Sequence, residues 1–149
     1  MIVININQKT MKKVLSLFAF LLLVVFYSCD EPMDGDWSPI EVDKQQLEFT
    51  SAGGEQAVTM LNYGHWWING GYEGVVQVNG TSEYVNYVHP EPGEFYSLDG
   101  GWYRVAVPDG EDRNVAMVVV DSNDTGESRQ AKIIMTVGDA FATISVNQQ

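Results

Sequence analysis

Basic residues are scarce in this chain: 8 Lys+Arg stand against 20 Asp+Glu. Three of those bases, Lys9, Lys12 and Lys13, precede the first acid. From Cys29 onward 20 acids face only Lys44, Arg104, Arg113, Arg129 and Lys132, a net charge of −15. A surface of that sign repels phosphate backbones, so nucleic acid is excluded as a partner. Cysteine occurs once, at Cys29, which excludes a disulfide framework. Histidine occurs only at His65 and His89, 24 residues apart with no Cys to assist them, so no metal site is expected. Helical signals are missing as well: no window combines an amphipathic period with caps. There is no Gly-x-Ser-x-Gly elbow and no phosphate-cradling loop, and no carboxylate pair is singled out for work on a glycosidic bond. The chain reads as a non-enzyme without a cofactor. Its 45% apolar content is too high for a wholly disordered polymer, and 149 residues suffice for one domain plus an extra segment.

The extra segment lies at the front. Met11-Lys12-Lys13 followed by the 13 residues Val14 to Phe26 has the form of a signal peptide, a positive n-region before an h-region. The run is too short to cross a bilayer core of about 30 Å as a helix. Residues 1–28 are assigned as signal peptide, with translation expected to start at Met11. Phe26-Tyr27-Ser28-Cys29 resembles a bacterial lipoprotein cleavage box, although Phe26 and Tyr27 depart from its small or aliphatic preference. The resemblance implies acylation of Cys29, and with it a membrane attachment worth about 0.8 kcal/mol per buried CH₂. Asp30-Glu31-Pro32-Met33-Asp34-Gly35-Asp36 then carries four acids and no base. Residues 29–43 are read as a lipidated Cys and solvated acidic tether. By resemblance to surface lipoproteins of Bacteroidetes, the acidic stretch also implies export to the outer leaflet.

From residue 44 the chain reads as strands and turns. Leu47 and Phe49 alternate with polar neighbours, and a Gly53-Gly54 turn leads into Gln56 to Tyr63. Further runs are Gly74 to Asn79, Glu83 to Val88, Phe95 to Leu98, Trp102 to Val107, Asn114 to Asp121, Gln130 to Val137 and Ala140 to Asn147. Val115 to Val120 is apolar on both faces, as a central strand would be. Gly, Asn, Asp and Pro cluster between the runs. Asp121-Ser122-Asn123-Asp124-Thr125-Gly126 mimics the start of a calcium loop. The twelfth position, however, would be Lys132 in place of a bidentate Glu, so the segment reads as a hairpin turn. Eight or nine strands over this length predict an all-β fold, an antiparallel β-sandwich.

Two stretches carry a family resemblance. Leu47-Glu48-Phe49-Thr50-Ser51-Ala52-Gly53-Gly54-Glu55-Gln56-Ala57-Val58 with the Trp66-Trp67 pair resembles the first half of a BACON domain. Asn123 to Ile133 and the ending Ile144-Ser145-Val146-Asn147-Gln148 resemble its second half, with an Asn-bearing turn, an Arg opening the next strand and a final Gln. The resemblance covers residues 44–149 and implies an immunoglobulin-like sandwich on a surface or secreted protein, with carbohydrate as the ligand class. Gly70 to Gly101 is longer and more aromatic than the family pattern requires.

Within that middle region flat side chains are dense. Sugar rings present axial C–H faces to Trp and Tyr, while Asp, Glu, Asn and Gln accept hydroxyl hydrogen bonds. Trp66, Trp67, Tyr84, Tyr87, Tyr96, Trp102 and Tyr103 are therefore the candidate ligand-binding residues. Adjacent aromatics on a strand point to opposite faces, so one of Trp66/Trp67, and one of Trp102/Tyr103, is expected to fill the core. The expectation is an outer-membrane, surface-exposed lipoprotein held by Cys29. It would act as a non-catalytic module for a glycan or glycoprotein, or else as a structural or protein-interaction subunit of an outer-membrane complex.

Overall fold

The computed structural model describes residues 37–108 and 113–149, so the signal peptide, Cys29 and residues 30–36 lie outside the described residues. Alternation in the sequence becomes alternation in space. In the strand Arg129–Val137, Ala131, Ile133, Met135 and Val137 are buried and the residues between them face outward. Ala140–Gln148 buries Ala140, Ile144, Val146 and Gln148 in the same manner. Burying one face of each strand requires a second layer, and two four-stranded sheets supply it for each other.

Ten strands are present: β1 (Gln46–Phe49), β2 (Gly54–Thr59), β3 (Trp67–Tyr72), β4 (Gly74–Val78), β5 (Thr81–Val85), β6 (Ser97–Asp99), β7 (Tyr103–Ala106), β8 (Val115–Val120), β9 (Arg129–Val137) and β10 (Ala140–Gln148). The first sheet has the order β1-β10-β9-β3, the second β2-β8-β7-β6, and β4-β5 forms a separate hairpin. All pairings are antiparallel except β1 with β10. This is the expected immunoglobulin-like β-sandwich. Leu47, Val58, Trp66, Ile68, Tyr103, Val118, Ile133 and Ile144 fill the space between the sheets.

Three features differ from the sequence reading. First, β3 is not among the runs, because Asn69-Gly70-Gly71 interrupts its strand formers Trp67, Ile68 and Tyr72. Its glycines are required by packing: a Cβ on Gly70 would overlap the Tyr87 hydroxyl, and one on Gly71 the Tyr103 hydroxyl. Second, Asp121 to Ser128 is not a hairpin turn. It carries the chain from β8 in one sheet to β9 in the other, and the buried Asn123 holds it. The Asn123 Nδ2 donates to the Glu127 and Gln149 carbonyls, and its backbone N–H donates to Ser51. Third, the folded part begins before residue 44. Ile40 is buried, Val42 bridges Met60, and the Tyr63 hydroxyl donates to the Ser38 carbonyl at 2.6 Å. Residues 37–43 are therefore part of the sandwich and not of a tether.

The β4-β5 hairpin turns at Asn79 and Gly80, whose φ values of 52° and 82° suit the two-residue turn matched to strand twist. Beyond the hairpin, Val88 pairs with Gly71 through both backbone bonds, extending the first sheet past β3.

Candidate binding surface

The seven candidate aromatics separate into three environments. Trp66 (0% exposed) and Tyr103 (1%) point into the core and are removed from the candidate surface. Trp66 lies on the inward side of its pair, as adjacent residues in extended chain demand. Trp102 instead sits in a bend before β7 and its ring meets Tyr103 edge-on at 5.1 Å, so that pair is not split between opposite faces. The Trp66 Nε1 and the Tyr103 hydroxyl both lack a hydrogen-bond partner, so these rings serve by volume. Burial, with the Glu73 charge adding to it, pushes the Tyr103 phenol up to about 12.

Trp102 is half-buried and committed elsewhere. The Arg129 guanidinium lies 4.5 Å from its ring centroid, and its Nε1 donates to Glu73 Oε1 at 2.6 Å. Arg129 Nε donates to Gln148 Oε1 at 2.7 Å, and its Nη2 donates to the Asp121 and Ser122 carbonyls. The Asn, Arg and Gln that carry the second half of the family resemblance thus meet at one end of the β9 and β10 strands. There they tie β9 and β10 to the crossover from β8. Asp121, the first position of the calcium-loop look-alike, is paired with Arg104. That pairing holds its carboxyl below the usual range and raises Arg104. Asn123 Oδ1 accepts from both the backbone and the hydroxyl of Thr125.

The remaining aromatics converge on the outer face of the first sheet. Register places Trp67 (β3), Thr136 (β9) and Phe141 (β10) in one outward row. Gly70, Ile134 and Thr143 form the next, and Tyr72, Lys132 and Ser145 the third. Tyr87 lies over Gly70. The Tyr72 and Tyr87 rings are near-parallel, 8° apart with centroids at 6.4 Å, and Tyr84 leans on both at 4.5 and 5.3 Å. His89 meets Tyr87 at 4.6 Å. At the other end, His65 sits edge-on to Trp67, whose Nε1 donates to the Tyr96 hydroxyl at 3.1 Å. Arg113 lies 5.2 Å from the Tyr96 ring centroid. Tyr84 is 55% and Phe141 59% exposed, whereas Tyr72, Tyr87 and Trp67 are half-buried with an open edge. Burial first, then the neighbouring tyrosines, raises the phenols of Tyr72 and Tyr87, so the rings are neutral stacking surfaces at physiological pH. Asn86 donates to Glu73 beside this cluster.

Tyr72 and Phe141 are members of this face that were not among the seven. Phe141 carried a signal, being a large apolar residue in the outward register of a strand whose other outward residues are polar. Tyr72 belongs to the same aromatic-dense stretch, but its place on this face depends on β3 and on the bulge between Ile68 and Gly70. Among the described residues no group of three His, Cys, Asp or Glu is placed to hold a metal ion.

The fold and this face define a small immunoglobulin-like β-sandwich that displays stacked aromatics on one outer surface. No family model and no curated protein matches the chain. Among solved structures it is similar to one described as the NMR structure of a protein from Bacteroides thetaiotaomicron. The TM-score is 0.54 at 24% identity, covering 80% of this chain and 93% of that one. That likeness concerns the fold.

Proposed function

We propose that this chain is a BACON-like lipoprotein, anchored at Cys29 and displayed on the outer membrane, that binds glycans or glycoproteins without catalysing a reaction. The observation that carries this reading is the partly exposed Tyr72-Tyr84-Tyr87 cluster. Three phenol rings sit at the base of a projecting hairpin, with Trp67 and Phe141 on the same sheet face. Flat apolar faces flanked by the Glu73 carboxylate, the Asn86 amide and Lys132 match the amphipathic character of a sugar ring. The test is a glycan array probed with the full chain in neutral detergent, alongside Tyr84→Ala and Tyr87→Ala. The expected result is a specific signal lost in both variants while their folding is retained. A blank array with a folded protein overturns the reading.

The protein-interaction alternative draws support from one observation. Val75, Val76 and Val78 of the β4-β5 hairpin are exposed on both faces of a two-stranded ribbon. Isolated ribbons of that kind are marginal in water, and exposed valines on both faces suit a protein partner. Pull-down from outer membranes that depends on Val76→Ser and Val78→Ser, with no glycan signal, would favour it.

A further inference from the structure

The outer face of the second sheet is apolar where solvent would favour polar residues. β8 alternates, with Ala116, Val118 and Val120 in the core, and it sends Val115, Met117 and Val119 outward. Beside them on β7, Ala106 also faces outward. The sandwich core does not need these side chains, since the other face of β8 already supplies it. Over them passes the segment from Val88 to Glu94, stiffened by Pro90 and Pro92, and a cavity of about 430 Å³ remains between segment and sheet. That volume lies within the range of small-molecule sites.

Ala106, Met117 and Val119 form the cavity floor, and Glu91, Glu94 and Asp99 stand in its wall. His89, which also meets Tyr87, is part of the lining. The cavity's single guanidinium, Arg104, is paired through two nitrogens with Asp121, which lies outside the lining. Its charge is matched there, and Asp99, opposite it in the register of β6 and β7, also lies within its field, while Glu91 and Glu94 face the same space. Glu94 accepts a hydrogen bond from the Ser97 hydroxyl at 3.2 Å, and Asp99 accepts one from the Gly101 N–H at 2.8 Å. Both are thus held in place at the wall. An apolar floor within an anionic wall, on a chain of net charge −15 from Cys29 onward, selects against anions and for an amphipathic cation.

We propose that this cavity is a second ligand site, separate from the tyrosine face, for a small primary amine with an apolar body. The body lies on Ala106, Met117 and Val119, and the ammonium is held by Glu91, Glu94 and Asp99 through charge-assisted hydrogen bonds.

The test uses the full chain in neutral detergent, labelled with ¹³C at the methionine methyls, the Met117 signal being assigned with Met117→Leu. Phenethylamine, protonated at neutral pH, is the probe, and phenylacetate is its anionic counterpart of similar shape. The expected result is a saturable shift of the Met117 methyl below about 10 mM amine, with phenylacetate at least about tenfold weaker. The methyl of Met135, in the core, does not move. Ala106→Phe fills the cavity and abolishes the shift. The pair Glu94→Gln/Asp99→Asn leaves the floor intact and weakens the amine about tenfold, bringing it level with phenylacetate. Absence of a saturable Met117 shift in the folded protein overturns the proposal. So does equal binding of amine and acid to the parent chain, or amine binding that survives both variants. None of these outcomes bears on a glycan array that reports the tyrosine face.

Discussion

Replacing Gln148 by methionine removes three hydrogen bonds from a side chain that is 2% exposed, at nearly constant volume. The Gln148 Nε2 donates to the carbonyls of Thr50 (3.0 Å) and Asp121 (2.8 Å), and its Oε1 accepts from Arg129 Nε (2.7 Å). One side chain at the end of β10 thereby fastens the end of β1 in its own sheet and the exit of β8 in the other. Thr50 O also receives the Gly53 N–H, and Asp121 O also receives Arg129 Nη2, so neither carbonyl is orphaned. Those two bonds are worth about 0.5–1.5 kcal/mol each, and the bond from the guanidinium about 1.5–3 kcal/mol. Part of this is returned by burying an apolar thioether, which leaves a net loss of about 3 kcal/mol. With an m-value of about 1.5 kcal/mol/M, the urea midpoint falls by roughly 2 M. Ser145→Ala, which alters an outward-facing residue of the same strand, serves as control at under about 0.5 kcal/mol. Equilibrium urea unfolding followed by tryptophan fluorescence is the assay. A midpoint shift for Gln148→Met no larger than that of the control would refute the assignment of Gln148 as a tie between the sheets.

Further outcomes follow from the core. Trp66→Ala opens a cavity costing about 3–5 kcal/mol, whereas Trp66→Phe also removes an unpartnered N–H and costs about 1–2 kcal/mol. The difference between the two urea midpoints checks this. Gly71→Ala drives a methyl into the Tyr103 hydroxyl and the Leu98 side chain and costs more than about 2 kcal/mol. Gly70→Ala meets the tip of the half-buried Tyr87 and costs about 1 kcal/mol. Equal losses for the two glycines would contradict the packing described for β3. Alkaline pH gives a signed test through Tyr103. Its folded-state pKa of about 12 exceeds the unfolded value of 10.0, so this contribution to stability is complete below pH 10. It is lost as pH rises toward 12, because the unfolded chain releases the proton first. The loss totals about 2–3 kcal/mol by linkage. Tyr103→Phe should flatten that decline, as measured by urea unfolding at a series of alkaline pH values.

Much of this molecule can be read from residue order because short-range rules generate it. Alternation in Ala140 to Gln148 and Arg129 to Val137 sets their inward faces. Runs of β-formers bounded by Gly, Asn and Pro produce strands, and adjacency puts Trp66 and Trp67 onto opposite sides. Turn chemistry reads less well. Asp121 to Ser128 looks like a hairpin loop because its composition is that of any turn. What sends it between sheets is the burial of Asn123 and its bonds to Ser51, Glu127 and Gln149, and two of those three lie far along the chain.

The aromatic face and the cavity belong to the tertiary structure alone. Alternation assigns a residue to one of two faces, but it does not say which face a neighbouring segment covers. Tyr72, Tyr84 and Tyr87 meet because β3 accepts two glycines and the hairpin folds back so that Val88 can pair with Gly71. Met117 and Val119 floor a cavity because the Val88 to Glu94 segment passes over the second sheet without filling the space beneath it. Local sequence specifies backbone conformation and side-chain direction through steric preferences within a few residues. Surfaces and cavities are built by contacts between residues distant in sequence, and only the folded chain brings those together.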